Sequence, residues 1–159
     1  MVDIQTISIV IASGSVVLAA IYYVLQLRHQ SKMRQLDITL RVYSTITSKE
    51  WCEAWEKVRD RETLDYNSYK EKYGLVELNE VCATMEEVGV LLRKKFIDID
   101  LADDLFIGSV KMVWEKVKPI VEDGRKLSNR PQALRNLEYF YNEVKKREQK
   151  LQQTGVKNG

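Results

Sequence analysis

The densest group of potential metal ligands in the chain is formed by Asp98, Asp100, Asp103 and Asp104. An EF-hand loop needs a glycine at its sixth position and an acid at its twelfth. Counted from Asp98, these positions hold Asp103 and Ser109, so the spacing does not match. Acids are favoured at the N-cap and in the first turn of a helix. We therefore interpret the four aspartates as the start of a helix, with Asp100 as its N-cap.

Other groups that could do chemistry are few. His29 is the only histidine, which excludes a histidine-based triad and a multi-histidine metal site. The two cysteines, Cys52 and Cys82, form no CxxC pair, and we expect both to be small buried residues. The sequence also lacks a P-loop, a dinucleotide-binding glycine pattern and a nucleophile elbow. It therefore predicts no enzyme activity, no cofactor and no metal site.

An uncharged stretch, residues 4–27, lies between Asp3 and Arg28. As a helix it would extend about 36 Å, enough to cross a hydrocarbon core of about 30 Å with some tilt. Two alternatives are a cleaved signal peptide and a buried helix of a globular domain. The first lacks a basic segment before the apolar run, and the second rarely contains so long an uncharged run. We therefore predict a single transmembrane helix in the cell membrane.

Basic residues follow this stretch, beginning with Arg28, Lys32 and Arg34. Because basic flanks remain on the cytoplasmic side, we predict an outside N-terminus and a cytoplasmic C-terminal domain. Each basic group near an anionic leaflet contributes about 1 kcal/mol of binding free energy. We expect these three side chains to contact lipid headgroups.

One face of the predicted anchor consists of small residues, which are Ser8, Ala12, Ser15 and Ala19. Small residues at this spacing let two membrane helices approach closely. We interpret the face as a possible helix–helix contact, either with another membrane protein or in self-association. The alternative is that alanine and serine are simply tolerated in any anchor.

Apolar residues after the anchor recur at helical spacing almost everywhere. We predict an all-α fold, a single N-terminal transmembrane helix followed by a small cytosolic helical bundle. The net charge of +2 indicates a mixed surface, so no specific nucleic acid is expected as a partner. The predicted organisation is a transmembrane anchor (1–27), a juxtamembrane helix extension (28–47), a helical bundle (48–151) and a disordered tail (152–159).

Several residues mark helix boundaries in the predicted bundle. Thr47 and Glu50 have the spacing of a capping box, whereas Gly74 and Gly124 are expected helix stops. Pro119 should kink or interrupt its helix. The last helix should be capped by Ser128 or Asn129, with Pro131 near its first position. Trp51 and Trp55 share one helical stripe, which indicates either core packing or a surface that binds a partner.

A longer pattern extends over the middle of the chain. It comprises Met85-Glu-Glu-Val-Gly89, Phe96-Ile-Asp98, Leu105-Phe106, Trp114, Pro119 and Arg125. This pattern resembles family 4760 of prokaryotic domains of unknown function. The resemblance implies one N-terminal anchor and a compact helical domain, and it implies no activity. From the residues themselves we expect Gly89 to allow close helix approach, Trp114 to be buried, and Arg125 to cap carbonyls or pair with an acid of the helix that carries Gly89.

We predict a membrane-anchored accessory or interaction subunit, or a scaffold, without catalytic activity. Its expected partners are the lipid bilayer and another membrane protein or a second copy of the anchor. The alternative is a membrane-tethered sensor or effector that binds a small ligand or nucleic acid. An enzyme of unrecognised type is the remaining hypothesis.

Overall fold

The structure, a computed structural model, describes residues 3–156 and leaves out the side chains of residues 6–11, 107 and 154–156. Within these bounds the regular structure is helical throughout, with no strand, so the all-α prediction is confirmed. The helices are α1 (Ile4–Ile46), α2 (Lys49–Asp60), α3 (Tyr66–Tyr73), α4 (Val76–Arg93), α5 (Ile99–Leu127) and α6 (Arg135–Val156).

The chain divides into two compact units, Met1–Ile38 and Thr39–Gly159. In the first unit the large apolar side chains of α1 are exposed, for example Leu18 at 69% and Ile21 at 53%. Among the side chains that are described, no helix offers a segment long and apolar enough to cross a membrane. Residues 6–11 of the predicted anchor lie outside that description. The transmembrane helix stays a prediction.

Residues 39–156 form a helical bundle around one apolar core. Leu78, Met85 and Leu92 form part of a buried stripe of α4. Phe106 and Trp114 of α5 and Phe140 of α6 are buried as well. The rings of Phe106 and Phe140 meet edge to face with their centroids 6.4 Å apart, a favourable aromatic geometry. Burial of apolar area, at about 25 cal/mol per Å², is the main stabilising contribution.

The two tryptophans of α2 belong to this core. Trp51 and Trp55 are 4% and 9% exposed, and their rings stack with centroids 6.4 Å apart. The core interpretation of the tryptophan stripe is confirmed, and these rings offer no free surface for a partner.

Two helices begin at a residue other than the predicted one. Ser48 is the N-cap of α2 and accepts a hydrogen bond from the Trp51 amide at 3.2 Å. Thr47 does not cap, because its hydroxyl donates to the carbonyl of Tyr43 near the end of α1. Asp98, not Asp100, is the N-cap of α5 and accepts from the Leu101 amide at 2.8 Å.

The two predicted glycine stops have different outcomes. Gly74 is the C-cap of α3 with a φ of 73°, as expected for a helix end. Gly124 does not end α5, which continues to Leu127 and also passes Pro119 without interruption. A Cβ at Gly124 would lie 2.8 Å from Cδ2 of Tyr66, so this glycine serves close packing rather than chain reversal. α6 likewise continues to Val156, beyond the predicted end at residue 151.

Glu77 of α4 holds the end of α2, with one carboxylate oxygen 3.3 Å from Lys57 Nζ and the other 3.3 Å from Arg61 Nη1. Its own backbone amide and then the two cations lower the pKa of the Glu77 carboxyl, although desolvation opposes them. Because the folded pKa is depressed, this stabilisation is present above the unfolded pKa and is lost as the pH falls through the folded pKa. Glu77→Gln should reduce the free energy of unfolding by about 0.5 kcal/mol at neutral pH.

Urea unfolding followed by tryptophan fluorescence tests this, because all three tryptophans lie in the second unit. The deficit in unfolding free energy should begin to shrink below a pH of about 4, where unfolded Glu becomes protonated, and should disappear below the lower pKa of folded Glu77. Glu71→Gln, at an exposed position of α3, is the matched control and should leave the free energy of unfolding unchanged. If Glu77→Gln lowered the free energy of unfolding by the same amount in acid, the stabilisation by Glu77 would not be electrostatic.

Candidate functional site

The connection between α5 and α6 reverses the chain over residues 128–134. Ser128 is the C-cap of α5, and its hydroxyl donates to the Gly124 carbonyl at 2.6 Å. Asn129 and Leu134 both have positive φ, 52° and 53°. α6 therefore begins at Arg135, after the turn, and the prediction that Ser128 or Asn129 caps it near Pro131 is wrong.

The free amides at the start of α6 are satisfied from another helix. Glu86 of α4 accepts hydrogen bonds from the backbone amides of Asn136 and Leu137, at 2.9 and 2.7 Å, with one oxygen. Its other oxygen accepts from Asn136 Nδ2 at 2.5 Å. A carboxylate at the positive end of a helix is favoured by the helix dipole. Glu86 thus serves as the cap that the local sequence does not provide.

Gly89 lies one turn further along α4, where α4 and α6 are in direct backbone contact. A Cβ at this position would overlap the backbone carbonyl group of Asn136. The expected role of Gly89 in close helix approach is confirmed, and the approach is what brings Glu86 within reach of α6.

Arg125 connects α5 to the same junction. Its Nε donates to the Ala133 carbonyl at 2.8 Å, and its Nη1 lies 2.8 Å from a carboxylate oxygen of Glu138 in α6. The guanidinium also lies 5.8 Å from the ring centre of buried Trp114, within cation–π range. The expected carbonyl cap is confirmed. The other alternative, an acid of α4, does not apply, because Glu86 is engaged by α6 and the acid that pairs with Arg125 is Glu138.

A cavity of about 440 Å³ opens beside this junction. Its apolar lining includes Leu78, Ile120, Val121 and Leu134, and its polar lining includes Tyr66, Asn79, Arg125, Ser128 and Arg130. None of the described residues that line it is acidic. This volume lies within the usual range for small-molecule sites, about 300–1,000 Å³. We take this cavity as the candidate functional site and refer to it as the α4–α5 cavity.

The lining of the α4–α5 cavity includes a thiol as well as hydroxyl, amide and guanidinium groups. The thiol belongs to Cys82, which is 2% exposed. Burial, with a smaller contribution from the Glu86 charge, raises the pKa of the Cys82 thiol to about 12. At neutral pH this thiol is protonated and unreactive, because only the thiolate is an effective nucleophile.

The other cysteine, Cys52, is exposed, so the expectation that both are buried is wrong for this residue. Cys52 directly follows Trp51 on α2, and its thiol donates to the Ile46 carbonyl at 3.7 Å. A maleimide at neutral pH should label one thiol per folded chain, and peptide mass spectrometry should place the label on Cys52. Rapid labelling of Cys82 in the folded protein would contradict the raised pKa and the burial.

The aspartates at the start of α5 have structural partners. Asp100 and Asp103 both lie against Arg147 of α6, whose Nε is 2.7 Å from an oxygen of Asp103. Burial, followed by the charges of Asp104 and Glu148, raises the pKa of the Asp103 carboxyl. Among the residues described, no three His, Cys, Asp or Glu side chains are grouped so as to hold a metal ion.

The residues predicted to act at the membrane all lie on α1, outside the bundle that forms the cavity. Those with described side chains are exposed, namely Ala12, Ser15, Ala19, Arg28, Lys32 and Arg34. The side chain of Ser8 lies outside the described residues. Their roles in helix–helix and headgroup contact stay predictions.

Several residues of the site were not singled out from the sequence. Asn79, Arg130 and Asn136 carry no local motif, and Glu138 is one of many charged residues on a helix. A signal was present for Arg130, because it lies between Asn129 and Pro131 in a segment that interrupts the helical periodicity. Loops of this kind often carry functional side chains.

The fold and the site together define an α-helical bundle domain whose last helix is capped by a carboxylate of a neighbouring helix. Residues 9–144 match the family described as Domain of unknown function (DUF4760). The chain belongs to this family, which confirms the resemblance seen in the sequence. No curated protein and no solved structure matches the chain.

Within the family-like pattern, Glu86, Gly89 and Arg125 meet at the start of α6, and Trp114 packs against Arg125. Asp98 lies elsewhere, at the start of α5. Much of the pattern therefore marks one junction of the bundle, the junction that borders the α4–α5 cavity.

Proposed function

We propose that this chain is a membrane-anchored accessory protein, in which residues 4–27 lie in the bilayer and the bundle presents binding surfaces on the cytoplasmic side. The observation that carries the proposal is the exposure of the apolar side chains of α1. Among the described residues of the uncharged stretch, Val16, Leu18 and Tyr22 are all more than 65% exposed. Exposed apolar area of this extent needs a covering of lipid or protein.

The charge distribution of α1 supports lipid as the covering. No charged residue occurs from Ile4 to Leu27, whereas Arg28, Lys32 and Arg34 follow directly. A helix that packs against protein on one side and faces water on the other commonly has a charged or polar face. Residues 4–27 contain no charged residue with which to form a charged face. A basic segment beside an uncharged one instead matches the boundary between hydrocarbon and headgroups.

The test is extraction of membranes from expressing cells with alkaline carbonate, which releases peripheral proteins and retains spanning ones. The native chain should remain with the membrane. The double variant Leu18→Arg, Ile21→Arg should be released, because each central arginine costs about 3 kcal/mol on insertion. Met33→Arg adds the same charge beyond the uncharged stretch and should be retained. Release of the native chain would contradict the proposal.

The accessory role predicts a stable assembly in mild detergent. Affinity purification of the native chain should recover either a partner membrane protein in fixed stoichiometry or a dimer of the chain. Leucine at both Ser15 and Ala19 should disrupt that assembly if the small-residue face forms the contact. A monomer with no stoichiometric partner would count against the accessory role while leaving the anchor untouched.

A further inference from the structure

We propose that the α4–α5 cavity binds a small amphipathic carboxylate, a molecule with one carboxylate group and an aromatic or aliphatic body. This site goes beyond the accessory function proposed above and does not depend on it. It lies wholly among residues 39–159, so its geometry is independent of the anchor.

The shape of the cavity suits a small organic ligand. Its volume of about 440 Å³ is bounded by α4 on one side and by α5 with the 128–134 connection on the other. Leu78, Ile120 and Leu134 supply apolar walls. An apolar body that fills such a space removes its own surface and that of the walls from water, which favours binding.

The charge of the lining selects an anion. Arg125 and Arg130 both line the cavity, and no acidic residue does so among the described residues. Arg130 is exposed, and no described acid pairs with its guanidinium. Guanidinium groups bind carboxylates through paired hydrogen bonds.

A donor of Arg125 without a partner also favours an anionic ligand. Nη2 of Arg125 is buried and has no hydrogen-bond partner, although Nε and Nη1 of the same side chain are both engaged. Buried polar groups in folded proteins nearly always have a partner. Asn79 adds a neutral donor to the lining. A carboxylate in the cavity would accept from Arg130 and Asn79, and it would reach Arg125 Nη2, which has almost no accessible surface, after a shift of that side chain.

The binding test uses the full chain in mild detergent and titration calorimetry, with empty micelles subtracted. The probe is 4-phenylbutyrate, compared with the matched alcohol and the matched amine. The carboxylate should bind saturably with one molecule per chain, about tenfold more tightly than the alcohol, because a charge-assisted hydrogen bond is lost in the alcohol. The amine should bind more weakly still.

Three variants locate the site. Arg130→Gln should weaken binding of the carboxylate about tenfold, whereas Arg135→Gln, an exposed arginine outside the cavity, should not. Ala83→Phe places a ring at the exposed edge of the cavity and should abolish binding without disturbing the core. Absence of saturable binding, equal affinity for all three probes, or full affinity in Ala83→Phe would each overturn the proposal.

Discussion

Gly89→Ala is expected to destabilise the bundle by about 3 kcal/mol or more. The added Cβ would overlap the backbone carbonyl group of Asn136 and would lie 3.1 Å from the Cβ of Asn136. Backbone atoms within a helix cannot rotate away as a side chain can. Relief therefore requires α4 and α6 to separate, and this separation also lengthens the hydrogen bonds to Glu86.

Gly108→Ala is the matched control, because Gly108 lies inside α5 and a Cβ there meets nothing within 4 Å. It should be neutral or stabilising by about 0.5 kcal/mol, as expected for glycine to alanine inside a helix. Urea unfolding followed by tryptophan fluorescence measures both variants. If Gly89→Ala were as stable as Gly108→Ala, α4 and α6 would not be in backbone contact.

Glu86→Gln is expected to destabilise the bundle by about 2 kcal/mol. The carboxylate accepts three hydrogen bonds, from the amides of Asn136 and Leu137 and from Asn136 Nδ2. A glutamine has one acceptor oxygen, so its NH₂ group faces Asn136 Nδ2 and that hydrogen bond is lost unless the Asn136 amide turns over. The variant also removes the negative charge that the helix dipole of α6 favours.

The local consequence distinguishes loss of this cap from a general loss of stability. Hydrogen exchange in Glu86→Gln should accelerate first at the amides of Asn136 and Leu137, because their acceptor is weakened. Glu87→Gln, an exposed neighbour on the same helix, should change neither the unfolding free energy nor these amides. Unaltered exchange at the start of α6 in Glu86→Gln would show that the carboxylate is not its cap.

Periodicity was sufficient to predict the helices and most of the core. Leu78, Met85 and Leu92 recur at helical spacing and are buried, and Trp51 and Trp55 share a buried stripe. Helix ends were harder to predict, because a polar side chain near a helix end can hydrogen-bond either to the helix that follows it or to the helix that precedes it. Thr47 fits a capping box by spacing, yet its hydroxyl bonds to the preceding helix instead.

The site depends on contacts between residues far apart in the sequence. Glu86 meets Asn136, and the spacing of acids along α4 contains no information about a donor on α6. Gly124 resembles a helix stop, but the ring of Tyr66 that explains it comes from α3. The cavity likewise exists only once α4, α5 and the 128–134 connection are brought together. Local motifs cannot predict such a site, because every wall comes from a different segment.

Lipid around the uncharged half of α1 is the central proposal, and hydrogen exchange of the native chain in lipid nanodiscs tests it most directly. The hydrocarbon core is nearly free of water, so the amides of residues 12–27 should exchange far more slowly than those of residues 28–38. Both segments belong to one helix and one unit, so a difference would report the surroundings rather than the secondary structure. Equally rapid exchange in both segments would contradict the membrane anchor.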